Sequence, residues 1–118
     1  MKYTAIISSK ECRITEDGYQ FRHLFVLQSE SLAELMNLIQ PEEWQFCHGA
    51  IWRDDDDLAS WTLEREINED SNAPTGNLIA VETDMNYQLE LACDLRRDYN
   101  ELVKRGLREH IEEIAIEI

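Results

Sequence analysis

A regular alternation of apolar and polar residues between positions 59 and 67 constrains the fold more than any other local feature. The residues on one side of this alternation are Ala59, Trp61, Leu63, Arg65 and Ile67. Because successive side chains of a strand point to opposite faces, a period of two predicts a half-buried β-strand. Four aspartates at 54–57 precede it, and we expect a hairpin in which they form a four-residue loop.

That loop length sets the pairing between the two strands of the hairpin. Trp52 then faces Ala59, and the three tryptophans of the chain share one face of the sheet. Packing against a helix is the expected role of that face. Glu64 and Glu66 lie on the opposite face, which leads into the aspartate run, so we expect one continuous anionic surface.

A second hairpin is indicated by the dipeptide Asp-Gly at positions 17 and 18, which readily takes the positive φ angles of a type I′ turn. In the resulting register Ile14 faces Phe21, and Cys12 faces His23. In a regular strand, the apolar residues near the start of the first strand would lie on the opposite face from those near its end. One extra residue around positions 8–10, in a β-bulge, would place both sets on the same face.

Two helices complete the predicted fold. Ser31 and Glu34 form a capping box before an amphipathic stripe that Pro41 ends. A longer helix is expected from about residue 86, with Gly106 as its left-handed cap. The element order is β-β-α-β-β-β-α-β. It predicts a single α+β domain over residues 1–118, with a mainly antiparallel sheet of about five to six strands and both helices packed on one face.

The charge of the chain is concentrated in its centre. The 118 residues include 25 acidic and 11 basic side chains, a net charge of −14. Residues 29–86 hold 14 of the acids and only two of the bases. Charge of this density repels itself and attracts a basic partner. It also makes direct binding to nucleic acid or to an anionic membrane surface unfavourable, so neither is expected.

The sequence holds no motif that predicts a catalytic, cofactor-binding or metal-binding residue. It lacks G-x-S-x-G, H-E-x-x-H, C-x-x-C and a phosphate-binding glycine loop. The aspartate run does not fit a calcium loop, because ligands of that loop alternate in sequence and surround a glycine. We therefore expect a protein that is not an enzyme and that needs no cofactor or metal.

The compartment is indicated by the cysteines and the first residues. Cys12, Cys47 and Cys93 are widely spaced and odd in number, which is not the pattern of a disulfide framework. The short apolar stretch near the amino-terminal end is broken by polar residues at 8–10, unlike the hydrophobic region of a secretory signal. A cytoplasmic protein is expected.

Three function hypotheses follow. The first is a small acidic protein-binding domain, an inhibitor or immunity-type protein that occupies the nucleic-acid-binding groove of a basic partner, such as a nuclease, by presenting clustered carboxylates. Its predicted partner-binding residues are Asp54, Asp55, Asp56, Asp57, Glu64 and Glu66. The second is a small enzyme or metal-dependent domain that uses His23, His48 or His110 with neighbouring acids. The third is an assembly subunit that pairs through an exposed strand edge at 113–118.

Overall fold

The fold is taken from a computed structural model that describes residues 2–14, 20–39, 46–83, 87–107 and 111–115. Its elements, in chain order, are β1 (Tyr3–Ile14), β2 (Gln20–Ser29), α1 (Leu32–Leu38), β3 (Phe46–Arg53), β4 (Trp61–Ile67), β5 (Pro74–Glu82), α2 (Tyr87–Lys104) and β6 (Ile111–Ala115). The α+β class and the predicted order of elements are confirmed.

One six-stranded sheet contains every strand of the described residues, in the order β5-β4-β3-β1-β2-β6. Five strands pair antiparallel, and β6 joins β2 in parallel at one edge. The prediction of a mainly antiparallel sheet is therefore confirmed. The longest strand, β1, lies between β2 and β3 inside the sheet.

The side of the sheet that carries Ile6 is covered by α2. Ile6 faces Val26 on β2 and Ala50 on β3, and cross-strand partners lie on the same face. These residues pack in one buried cluster with Ala92, Leu95 and Leu102 of α2. We call this side the α2 face.

The other side is covered by α1. Ala5 faces Leu27 and Ile51, and these three residues are buried with Leu35 and Ile39 at the end of α1. We call this side the α1 face. The prediction that both helices pack on one face is wrong: they pack on opposite faces.

The connections explain why the helices are separated. The β2–α1–β3 connection crosses β1 in one direction, and the β5–α2–β6 connection crosses the whole sheet in the opposite direction. Each joins two strands that run the same way. Such crossovers are almost always right-handed. Two crossovers of the same hand that run in opposite directions place their helices on opposite faces.

The predicted bulge in β1 is confirmed in position but not in size. Ser8 faces Leu24, whereas Cys12 faces Arg22, so three residues of β1 lie opposite one residue of β2. The bulge thus adds two residues rather than one. The predicted register of this hairpin is wrong, since Ile14 faces Gln20 and the connection has five residues. The Asp-Gly pair at 17 and 18 lies outside the described residues.

The register between β3 and β4 also differs from the prediction by one residue. Ala50 faces Thr62 and Ile51 faces Trp61, so residues 52–60 lie between the last paired positions of the two strands, rather than the four aspartates alone. A slip of one residue moves every side chain of a strand to the other face. Trp52 therefore lies on the α2 face and Trp61 on the α1 face, and Trp44 lies outside the described residues.

The helix ends follow their sequence signals. Ser31 Oγ accepts a hydrogen bond from the Glu34 N–H at 3.3 Å, so the N-cap is confirmed. After α2, Gly106 has a φ of 71°, and the Leu107 N–H donates to the Leu102 carbonyl at 2.9 Å. This bond belongs to a Schellman motif. Within the residues that the structure describes, neither helix has the length and apolar character required to cross a membrane.

Candidate partner-binding surface

The four aspartates form an exposed turn after β3, which we call the aspartate turn (residues 54–57). Its first residue, Asp54, has a φ of 49° and is fixed to the start of β1. The Asp54 N–H donates to the Lys2 carbonyl at 2.6 Å, and the Lys2 N–H donates to Asp54 Oδ1 at 2.8 Å. The Asp56 N–H donates to the Arg53 carbonyl at 3.1 Å. These bonds tie the first residues of the turn to the ends of β1 and β3.

The chain that leaves the aspartate turn is anchored as well. Ala59 is buried in the α2-face cluster, and its carbonyl accepts a hydrogen bond from Thr83 Oγ1 at 2.8 Å. The Thr83 N–H donates to the Ser60 carbonyl at 3.2 Å. The Ser60 N–H also donates to the Ile51 carbonyl at 2.9 Å, so residue 60 is bonded both to β3 and to the residue that follows β5. The turn is thus attached to the sheet on both sides.

The carboxylates of the aspartate turn are exposed to solvent. Asp54 uses one oxygen to accept from Lys2. In the part of the chain that the structure describes, no ion pair or side-chain hydrogen bond engages the carboxylates of Asp55, Asp56 or Asp57. Three charges on consecutive residues are therefore available to a partner.

Glu64 and Glu66 do not belong to the same compact cluster. Both lie on the α2 face, the side of Trp52, because Glu64 is two residues beyond Thr62 in β4. Thr62 is buried between them and the aspartate turn. At the rise of a strand, the two glutamates lie about 10 and about 17 Å beyond the start of β4. Glu66 Oε1 also accepts a hydrogen bond from Thr75 Oγ1 at 2.9 Å. The expected continuous anionic surface is therefore interrupted.

Basic residues of α2 border the aspartate turn on one side. A cleft of about 360 Å³ separates Asp57 from the helix, and Arg96, Arg97 and Lys104 are among the residues that line it. Arg97 is itself paired with Asp94 at 3.0 Å. These basic residues partly offset the negative electrostatic potential of the turn on the side of α2. That potential is strongest on the side that points away from the helix.

One basic residue in this region was not expected from the sequence to have a role. The Arg96 guanidinium lies 5.6 Å from the centre of the Trp52 ring and 5.8 Å from that of Tyr99. The spacing of Arg96 and Tyr99 on a helix is a signal for contact between them. The contact with Trp52 depends on which face of β3 meets α2, and the predicted register did not provide that.

The histidines predicted as catalytic candidates do not come together in the described residues. His48 lies on the α2 face, because its cross-strand partner Ser8 also pairs with Leu24, which belongs to the α2-face cluster. His23 precedes Leu24 and contacts Phe25, whose packing is on the α1 face. The two histidines are thus on opposite sides of the sheet, and His110 lies outside the described residues. Within those residues, no group of three or more His, Cys, Asp or Glu side chains could hold a metal ion.

Comparison with known proteins finds no family model, no curated protein and no solved structure that matches this chain.

Proposed function

We propose that this protein is an acidic protein-binding domain that uses the aspartate turn to occupy the nucleic-acid-binding groove of a basic partner. One observation carries the proposal: consecutive exposed carboxylates are mounted on a turn that hydrogen bonds from Lys2 and Thr83 fix to the sheet. A turn that is ordered before binding loses little conformational entropy when a partner engages it.

The spacing of the charges suits a groove built for phosphates. Neighbouring Cα atoms are about 3.8 Å apart, and one strand of duplex DNA carries a charge about every 3.4 Å along its axis. The aspartate turn therefore concentrates several negative charges over a short length of chain, as a nucleic-acid strand does. Glu64 and Glu66 lie farther along β4, so they form a second contact for a partner that extends over the α2 face.

We assign the protein to the cytoplasm, where a nuclease or another nucleic-acid-binding protein would meet it. The support is the cysteine usage of the sequence, with three widely spaced residues. An odd number of this kind is typical of proteins from reducing compartments. The one cysteine side chain that the structure describes, Cys93, is a free thiol on α2.

The proposal is tested by capture and competition. Partners are captured from native lysate at low salt and eluted at high salt, and the affinity of the purified partner is then measured with the wild type and with the triple variant Asp55→Asn, Asp56→Asn, Asp57→Asn. Asp54 is left intact because it holds the backbone. We expect the variant to bind at least about tenfold more weakly and with a shallower salt dependence, because charged contacts dominate the encounter.

A matched control separates a local effect from a change of net charge. The triple variant Glu69→Gln, Asp70→Asn, Glu82→Gln removes three exposed charges from other parts of the surface. We expect it to retain affinity within about twofold, since scattered charges at the rim contribute little. Equal losses in the two variants, or no loss in either, would contradict a role for the aspartate turn.

The mode of action has its own readout. If the aspartate turn occupies a nucleic-acid groove, the wild-type protein displaces a labelled DNA duplex from the captured partner, and the aspartate triple variant displaces it less well. A ternary complex of protein, partner and duplex would contradict the inhibitor proposal while leaving the binding site itself intact.

The assembly hypothesis has a separate structural support. Among the described residues, strand β6 is at the edge of the sheet and pairs with β2 alone, so its other side is placed to accept a further strand. Light scattering over a range of protein concentrations tests it: growth in mass with concentration supports self-assembly, and a constant monomer mass contradicts it.

A further inference from the structure

A second, smaller cleft is also lined by Arg96, which it shares with the cleft beside Asp57. It has a volume of about 210 Å³. The start of β1, the end of β2, the aspartate turn and the middle of α2 surround it, and they contribute Lys2, Thr4, Gln28, Asp54, Asp55, Arg96 and Tyr99. Every one of these side chains is polar or charged at its tip. The cleft therefore suits a small polar ligand rather than an apolar one.

The Arg96 side chain supplies the most specific group of this cleft. It is half-buried, and the rings of Trp52 and Tyr99 hold its guanidinium. These rings attract the positive charge, but they accept no hydrogen bonds in the plane of the guanidinium. In the described part of the chain, its N–H groups have no carboxylate or carbonyl partner. A guanidinium that is positioned but not bonded is suited to a planar carboxylate.

The charges around the cleft restrict which carboxylate can enter. Lys2 and Arg96 contribute two positive charges, and Asp54 and Asp55 contribute two negative charges. A simple anion is attracted by Lys2 and Arg96 but repelled by the two aspartates, and a simple cation is attracted by the aspartates but repelled by the two basic residues. A molecule that carries both charges avoids both penalties. Asp55 is free to accept from an ammonium group, whereas Asp54 already accepts from the Lys2 N–H.

We propose that this cleft binds a small zwitterion of the α-amino acid type, with the carboxylate on Arg96 and the ammonium group on Asp55. The Gln28 amide donates to the Thr4 hydroxyl at 3.4 Å. These two groups are available to the rest of the ligand. At about 30 Å³ for each water, the cleft holds roughly seven waters, which is room for a free amino acid. The proposal shares Asp55 with the function assigned to the aspartate turn, whereas Arg96 has no part in that function, so the Arg96→Gln variant tests the cleft separately.

The test is a titration of the protein that is monitored by NMR of its backbone amides and of the Trp52 indole N–H. L-serine is the zwitterionic probe, and acetate and methylammonium are the probes that carry only one of its charges. We expect saturable shifts with L-serine at residues that line the cleft. Acetate and methylammonium are expected to bind at least about tenfold more weakly, because each loses one charge-assisted contact. Absence of saturation with L-serine, or acetate binding as tightly as L-serine, would overturn the proposal.

Two variants, one on α2 and one on the aspartate turn, distinguish loss of a ligand contact from a folding defect. Arg96→Gln and Asp55→Asn remove one charge each from opposite sides of the ligand, and we expect each to weaken L-serine binding by about tenfold or more. Asp55 is exposed on the turn, so its change leaves the core intact. Arg97→Gln is the matched control on α2, since the Arg97 side chain pairs with Asp94. Wild-type affinity in both cleft variants would overturn the assignment.

Discussion

Lys2 and Asp54 hold each other by two hydrogen bonds across the end of the sheet. The Lys2 N–H donates to Asp54 Oδ1 at 2.8 Å, and the Asp54 N–H donates to the Lys2 carbonyl at 2.6 Å. The same aspartate has a φ of 49°, a conformation that Asp and Asn tolerate better than most residues. Asp54 therefore shapes the turn, whereas the three aspartates after it are free to contact a partner.

This division of roles predicts different effects on stability for neighbouring aspartates. Asp54→Ala removes the acceptor of the Lys2 N–H and places alanine at a positive φ, so we expect the free energy of unfolding to fall by about 1 to 2 kcal/mol. Asp54→Asn keeps an acceptor and tolerates the angle, and its loss is expected to be below about 0.5 kcal/mol. Urea unfolding measures both.

The control for this comparison is Asp56→Ala in the same turn. Its carboxylate is exposed and it has no positive φ, so we expect a change within about 0.5 kcal/mol. If Asp54→Ala is no more destabilising than Asp56→Ala, the bonds between Lys2 and Asp54 do not hold the turn.

Gly49 is required by the close approach of β1, β3 and β4. A Cβ at this position would lie 2.8 Å from Leu63 Cδ1, 3.2 Å from Ile7 Cγ1 and 3.3 Å from the Ile6 carbonyl oxygen. Leu63 is buried and has little room to move. We expect Gly49→Ala to lower the free energy of unfolding by about 1 to 3 kcal/mol, the usual effect of overpacking.

Coupling to Leu63 distinguishes overpacking from a general loss of sheet stability. Leu63→Val removes the Cδ1 atom nearest to the new methyl group, so Gly49→Ala should destabilise less in the Leu63→Val background than in the wild type. Strictly additive effects of the two changes in a double-mutant cycle would contradict this explanation.

The elements and their order could be predicted from the sequence because each has a local signal. The capping box at Ser31 and the left-handed cap at Gly106 are examples, since both depend on residues a few positions apart. The registers could not be predicted in this way. The register depends on where pairing stops at each connection, and in the hairpin of β3 and β4 the residues that flank the aspartates bond to other elements: residues 52 and 53 pair with β1, and the Ala59 carbonyl accepts a hydrogen bond from Thr83. These contacts come from a distant part of the chain.

The position of the helices had a sequence signal that the alternation of β4 obscured. Ala5, Ile6 and Ile7 are consecutive, and all three are fully buried. A run of this kind is typical of a strand covered on both faces. The exposed aspartates of the candidate site were predicted from composition. The position of Arg96 over Trp52 was not, because it required the correct register of β3 and β4 and the correct face for α2.

Gly106 provides a test of the end of α2. Its φ of 71° favours glycine, since other residues in this conformation are destabilised by about 1 to 2 kcal/mol. We expect Gly106→Ala to lower the free energy of unfolding by about 1 kcal/mol, and Gly106→Asn to have a smaller effect because asparagine adopts this conformation more readily. Thermal or urea unfolding gives the ranking, and an alanine variant as stable as the wild type would contradict it.

The pair formed by Glu101 and Arg105 predicts a dependence of stability on pH. Arg105 Nε donates to Glu101 Oε1 at 2.8 Å, and this bond holds the pKa of Glu101 below its ordinary value of 4.5. A lowered pKa in the folded state means that the unfolded chain binds the proton more readily. The contribution to stability is therefore complete above that ordinary value, and it is lost as the pH falls through the pKa of the folded state.

We expect Glu101→Gln to be less stable than the wild type at neutral pH, with the difference between the two shrinking as the pH falls below 4.5, the ordinary pKa of the carboxyl group. Comparing the variant with the wild type at each pH cancels the titration of the other carboxylates. Arg105→Gln removes the same bond from the other side, and the double variant should add little to either single change. A difference that stays constant from neutral to acid pH would mean that the bond does not form in solution, since its loss on protonation is what makes the two proteins converge.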